Sequence, residues 1–128
     1  LAYAPPLSPE RLAGLLRSAR ASLLPVVSEG AGLAAIESIA TGTPVVASSV
    51  GALPEIVGAA GILVEPRDAR RLASALETAF VDERVHATLV EAARDRAMNE
   101  GRTWADVARE TREVYTIAIE RHAAKPRD

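Results

Sequence analysis

The amino-acid sequence predicts an α/β fold in which a parallel sheet of three or more strands is flanked by helices. Short apolar segments alternate with amphipathic helical segments, and this alternation is typical of parallel sheets whose crossovers are helices. The apolar segments 21–27, 45–47 and 61–64 are short and bounded by polar residues, as buried strands are. With 128 residues, the chain has the size of one domain.

Helix signals stand between and after these strands. Ser8 and Pro9 predict the start of a helix that extends to about residue 20. A second helix is predicted over Leu33–Ala40, followed by a glycine- and proline-containing stop at 41–44. A loop at 48–55 closes on a short helical turn. Caps of three later helices, the last spanning about 103–122, are predicted at Asp68, Asp82 and Thr103.

Composition excludes several classes of protein. The formal charge of −2 gives no electrostatic case for a nucleic-acid partner. The sequence has no cysteine, which excludes disulfides, thiolate zinc sites and a cysteine nucleophile. No apolar run approaches the roughly 20 residues that a bilayer-spanning helix needs. A cytoplasmic location fits these features and is our expectation.

The stretch 28–37 combines glycines and carboxylates at the predicted turn from strand to helix. Glu29 and Glu37 have seven residues between them, among them Gly30 and Gly32. Amides at a helix start attract anions, glycine lets a ligand approach the backbone, and carboxylates accept hydrogen bonds from hydroxyl groups. The pattern suits a ligand that carries both phosphate and polyol. The spacing alone, however, is as typical of an ordinary turn as of such a site.

Each glutamate has a structural alternative. Glu37 is surrounded by alanines and isoleucines, which predict a helix buried on most sides, where a glutamate needs a partner. The alternative is an exposed helix acid. Glu29 is alternatively a loop acid that stabilises the dipole of the following helix. Ligands of parallel sheets bind beyond the carboxyl ends of the strands, where the loops at 28–32 and 48–55 are both expected.

Other residues are predicted to have structural roles. Trp104 and Tyr115 recur at helical spacing and are predicted core anchors. His86 and His122 lack an acid or a second histidine at ligand spacing, so we expect solvated surface histidines. We find no Ser-His-Asp set, Walker loop, dinucleotide fingerprint or metal-binding cluster in the sequence.

The blocks SEGAGLAAIESIA, GTPVVAS and GALPEIV occur in an order that resembles a known family. Together with the helix at 7–20 and a tryptophan-led final helix, they resemble the carboxyl-terminal, donor-binding domain of retaining GT-B-fold glycosyltransferases (glycosyl transferases group 1). The resemblance implies a Rossmann-like sheet that forms an incomplete second half of a GT-B fold. It also implies sugar transfer from a nucleotide-sugar, a UDP- or GDP-sugar, to a lipid, saccharide or polyol acceptor.

The same resemblance implies a role for each residue of the stretch. Glu29 would be the catalytic residue and face the hydroxyls of the donor sugar, and Glu37 would accept hydrogen bonds from the ribose. The other donor-binding residues that it implies are Ser28, Gly30, Ala31, Gly32 and Leu33. Retaining transfer passes through an oxocarbenium-like state, in which amides at a helix start would stabilise the leaving diphosphate. No metal and no cofactor is therefore expected.

The sequence departs from the family pattern in two ways. Ala31 stands where an aromatic residue is common, so the grip on the donor is expected to differ. Members of the family also have strands that carry a basic pair facing the diphosphate, and they have an amino-terminal acceptor domain. Neither has a counterpart in this sequence. The arginines that we do not match to that pair are Arg11, Arg17 and Arg20. We therefore expect a fragment that is inactive alone.

Several alternatives stay open at this point. The chain is alternatively a non-catalytic glycosyltransferase-like module that serves in assembly or regulation, or a GT-B-like nucleotide-sugar epimerase. Pairing between fragments, and peripheral membrane association of the parent protein, are also open. The presence of both Glu29 and Glu37 favours the transferase, because a decayed site has little reason to keep both acids.

Overall fold

The computed structural model describes residues 5–99 and 103–124. Within these residues it contains three strands: β1 (Ser22–Leu24), β2 (Val45–Ser48) and β3 (Gly61–Val64). The helices are α1 (Pro9–Ser18), α2 (Leu33–Ala40), α3 (Leu53–Val57), α4 (Ala69–Val81), α5 (Glu83–Asn99) and α6 (Trp104–Ala123), with a 3₁₀ turn at Gly58–Ala60.

The three strands form one parallel sheet in the order β1-β2-β3. Leu23 is paired with Val46, and Val46 is paired with Ile62. β2 is central and buried along its whole length, which fits the apolar run of Val45, Val46 and Ala47 that precedes Ser48. The predicted parallel sheet flanked by helices is confirmed.

Helices cover both faces of the sheet. Val45 and Ala47 point to one face, and Val46 points to the other, because side chains alternate along a strand. The first face packs on α2 and α3 in a cluster that includes Ile39, Leu53 and Val57. The second face packs on α4 and α5 in a cluster that includes Ala75, Ala79 and Leu89.

A buried serine ties α2 to the starts of the first two strands. The Ser38 hydroxyl lies 2.7 Å from the Ser22 hydroxyl and donates to the Thr43 carbonyl at 3.0 Å. Ser38 is fully buried. A buried hydroxyl must be hydrogen-bonded to avoid a desolvation cost, and this one is.

Most predicted boundaries agree with the structure. α2 and β3 have the predicted bounds, and Ser8, Asp68 and Thr103 accept hydrogen bonds from helix-start amides, as caps do. The first strand is shorter than predicted. It ends at Leu24 because Pro25 has no N–H for the sheet, and the Val26 amide donates to the Leu24 carbonyl instead.

Helix α6 differs most from expectation. None of its residues is buried, and Trp104 and Tyr115 are 87% and 65% exposed. The prediction that they anchor the core is wrong. Helical spacing places them on a common face, but no described part of the chain buries that face.

In the described parts of the chain, none of the helices combines the length and the apolar character that a membrane span requires.

Candidate functional site

The candidate site is the loop at 28–32, which lies beyond the carboxyl end of β1 and leads into α2. The loop at 49–52, which follows β2 and leads into α3, lies against it. The parallel pairing of β1 with β2 brings the two loops to the same edge of the sheet. The sequence predicted this position for both loops, and the structure confirms it.

Glu29 caps the start of α2 from within the loop. Its Oε1 accepts a hydrogen bond from the Gly32 amide at 3.0 Å. Gly32 is the residue before the helix and has a left-handed backbone, with φ of 64°. The carboxylate therefore lies at the positive end of the helix dipole, where a negative charge is stabilised. This is the structural alternative that the sequence offered for Glu29.

Two glycines allow the loops to pack closely. A Cβ on Gly32 would lie 2.5 Å from Ile56 Cδ1, and a Cβ on Gly51 would collide with the Glu29 carbonyl oxygen. Gly51 also has a positive φ of 54°. The backbone of the second loop thus supports the backbone of the first. The sequence pattern indicates the loop at 48–55 but not this contact, and Gly51 is the residue that could have pointed to it.

The rest of the loop faces open space. A Cβ on Gly30 would meet nothing within 4 Å. Ser28, Ala31 and Leu33 are exposed. These residues therefore leave room beside Glu29 for a ligand.

The first turn of α2 has backbone donors that the described residues do not use. The Ile36 amide makes the first intrahelical bond, to the Gly32 carbonyl at 3.0 Å. The Gly32 amide is taken by Glu29, while those of Leu33, Ala34 and Ala35 donate to no described residue. Free amides at a helix start, together with the helix dipole, attract anions.

Glu37 is exposed, and the prediction that its helix is buried on most sides is wrong. Only Ala35, Ser38 and Ile39 of α2 are buried, and they form a single face. Leu33 is 65% exposed, so apolar neighbours did not indicate burial here. Glu37 lies one turn after Leu33 on the same exposed face, and it has no hydrogen bond or ion pair with a described residue.

Two further side chains bear on the sequence predictions. His86 is half-buried, with Nε2 3.1 Å from the Arg20 carbonyl oxygen, so the prediction of a solvated histidine is wrong for it. His122 is exposed, as predicted. No group of three His, Asp or Glu residues that could hold a metal ion occurs in the described parts of the chain.

The fold belongs to the class of parallel α/β domains, in which ligands bind beyond the carboxyl ends of the strands, where the two loops meet. Residues 3–82 match the family described as glycosyl transferases group 1. The chain belongs to this family. The matched residues include the whole candidate site and all three strands, so the predicted family is confirmed.

The chain is similar to two kinds of curated glycosyltransferase. It is 44% identical over 121 residues to the MMP alpha-(1->4)-mannosyltransferase of Mycolicibacterium hassiacum, covering 92% of this chain and 29% of that enzyme. It is 38% identical over 120 residues to the D-inositol 3-phosphate glycosyltransferase of Pseudarthrobacter chlorophenolicus, covering 92% of this chain and 28% of that enzyme. The chain thus spans less than a third of the length of these curated relatives.

A solved structure has the same fold over most of the chain. Sucrose-phosphate synthase from Thermosynechococcus elongatus matches with a TM-score of 0.74 and 32% identity, covering 93% of this chain and 30% of that one. This likeness confirms the prediction of a sheet that belongs to part of a GT-B fold.

Proposed function

We propose that the chain is the donor-binding part of a retaining glycosyltransferase. The donor is a nucleotide-sugar, a UDP- or GDP-sugar, and the acceptor is a lipid, saccharide or polyol. The observation that carries the proposal is the first turn of α2, where amides without described partners lie between two carboxylates in a chain of this family. The names of the relatives, which are a mannosyltransferase and an inositol-phosphate glycosyltransferase, support a transferase.

The helix start is proposed to bind the diphosphate. The amides of Leu33 and Ala34, which are exposed residues, point along the dipole of α2 and supply donors to phosphate oxygens. When the bond between the anomeric carbon and the diphosphate breaks, negative charge grows on the departing oxygens. Preorganised amides stabilise that charge more than they stabilise the intact donor, which lowers the barrier.

The two glutamates are proposed to bind different hydroxyls. Glu29 lies in the loop beside open space and accepts hydrogen bonds from the donor sugar, with Ser28, Gly30 and Ala31 around it. Glu37 is exposed and has a carboxylate free of described partners, so it is available to the ribose hydroxyls. A carboxylate accepts such bonds with both oxygens.

The remaining parts of the reaction are proposed to lie outside this chain. Since the chain covers 29% of the mannosyltransferase and 28% of the inositol-phosphate enzyme, an amino-terminal acceptor domain is the expected partner. The chain alone is therefore proposed to be inactive. Transfer is proposed to need no metal, and the longer protein is proposed to work in the cytoplasm.

Calorimetry of the longer protein with UDP and with GDP tests the donor site. We expect one of the two to bind, with an affinity that Glu37→Ala lowers about tenfold or more, because a charge-assisted hydrogen bond is lost. Glu77→Ala is the matched control, since Glu77 is an exposed helix acid on α4 away from the loop. Affinity should be unchanged in that control and in the presence of EDTA.

Two results would contradict the proposal in different ways. Unchanged affinity in Glu37→Ala removes Glu37 from the site and leaves the helix start as the donor site. No binding of either nucleotide by the unaltered protein overturns the donor-binding function itself.

A further inference from the structure

We propose that a basic groove at the opposite edge of the sheet binds a small molecule that carries a phosphate group. The groove lies between residues 17–20 at and just after the end of α1, the turn from α2 to β2 (41–44) and the α5 residues His86 and Arg94. Its volume is about 580 Å³. It adjoins the amino ends of β1 and β2, whereas the loop at 28–32 lies beyond the carboxyl end of β1. The inference does not depend on the proposed transferase activity.

The charges of the groove are all of one sign. Its lining includes Arg17, Arg20 and Arg94, with His86, and no carboxylate among the described residues. Arg20 already has partners within the chain, because it donates to the Glu83 carboxylate at 2.8 Å and to the Phe80 carbonyl at 2.6 Å. Arg17 and Arg94 are exposed and have no hydrogen bond or ion pair with a described residue. Two guanidinium groups are therefore available to a ligand.

The hydroxyls of the groove do not compete for that role. Thr41 donates to the Ser38 carbonyl at 2.7 Å, and Thr43 donates to the Leu16 carbonyl at 2.8 Å. The guanidinium groups of Arg17 and Arg94 are thus the side-chain donors that are wholly free for a ligand, and each is a planar fork that matches the oxygens of a phosphate. A neutral sugar would leave both positive charges uncompensated.

The walls of the groove are held by contacts that need no ligand. The stem of Arg94 packs against Gly42, whose missing Cβ would lie 3.3 Å from Arg94 Cγ. Arg20 and His86 tie the end of α1 to the start of α5. A preformed concave site loses less entropy on binding, and the volume is in the range of small-molecule sites, about 300–1,000 Å³. These features favour a small phosphorylated ligand over an extended surface.

Amide NMR titrations with inorganic phosphate and with glycerol 3-phosphate test the site, and glycerol serves as the uncharged control. We expect saturable shifts of the amides at 17–20 and 41–43 with the two phosphates and none with glycerol. The R17Q/R94Q variant should bind about tenfold or more weakly. R11Q/R70Q removes the same charge from exposed arginines outside the groove and should bind like the unaltered protein.

Three outcomes would overturn the proposal. The first is the absence of saturable shifts in the groove, and the second is equal weakening in both double variants, which indicates only general charge attraction. The third is binding to phosphatidylglycerol vesicles without any response to free phosphates, which makes a membrane surface the partner. If R17Q/R94Q loses its fold, R17K/R94K keeps the charges without the planar fork and should retain weaker binding.

Discussion

Replacing Gly51 with alanine perturbs the contact between the two loops at the carboxyl edge of the sheet. Alanine at a left-handed position costs about 1–2 kcal/mol, and forcing a methyl group into a packed contact costs about 1–3 kcal/mol. The methyl group here meets the Glu29 carbonyl oxygen, which is backbone and cannot rotate away. Alanine also reduces the entropy of the unfolded chain, which returns about 0.4–1 kcal/mol. We expect a net loss of about 1–5 kcal/mol in the free energy of unfolding.

Urea denaturation followed by far-UV circular dichroism measures this loss. Gly42→Ala is the matched control, since Gly42 has a φ of 77° but its added Cβ meets only the flexible side chain of Arg94. With the same return from the unfolded chain, that variant should lose only about 0–2 kcal/mol. Gly14→Ala should gain up to about 1 kcal/mol, because Gly14 lies inside α1 and its Cβ meets nothing within 4 Å.

The comparison between variants decides the outcome. If Gly51→Ala is no more destabilising than Gly42→Ala, the two loops do not pack backbone to backbone. The inference that the loop at 49–52 supports the loop at 28–32 is then refuted. If the loss is as large as expected, the amides at 28–32 should also shift in the NMR spectrum, because the loop must move to admit the methyl group.

Three further predictions concern other contacts. Ser38→Ala should lower the free energy of unfolding by about 1–3 kcal/mol in urea denaturation, because it leaves the buried Thr43 carbonyl without its donor; Ser18→Ala, at an exposed hydroxyl, should cost less. Trp104→Ala should change the free energy of unfolding by less than about 0.5 kcal/mol, since the side chain is 87% exposed; a larger loss would mean that the ring is buried. Hydrogen bonds from its own backbone amide and from Ser8 lower the pKa of Glu10, so its ionised form stabilises the fold above the pKa of the unfolded chain. That stability should fall as the pH drops through the lowered pKa, and in a pH titration of unfolding the fall should be smaller for Glu10→Gln than for the unaltered chain.

The sequence predicted the bounds of those elements whose ends are set by local residues such as glycine and proline. Helix α2 stops where Gly42 takes a left-handed backbone and Pro44 follows, and both signals are visible in the chain. Strand β1 was predicted too long because apolar character continues past the point where Pro25 interrupts the hydrogen bonds. Apolar pattern locates a strand, whereas donors and acceptors set its ends.

Burial was less predictable than secondary structure. Glu37 and Trp104 both have apolar neighbours at helical spacing, and both are exposed. A periodic pattern defines a face of a helix but carries no information on what packs against it. The capping contact of Glu29 was foreseen as an alternative because it depends only on residues three apart, and the approach of Gly51 was not, since it joins loops far apart in sequence.

At the proposed donor site, the Glu29 carboxylate already occupies the Gly32 amide and so competes with any anion for it. A free anion that uses the Gly32 amide must exchange with a carboxylate tethered three residues away, whose effective concentration is on the order of millimolar or higher. Small anions at lower concentration lose that exchange. A ligand that also offers hydroxyl groups gives the displaced carboxylate new hydrogen bonds. The same side chain therefore weakens the binding of simple anions and strengthens the binding of a ligand that carries both an anionic group and hydroxyls.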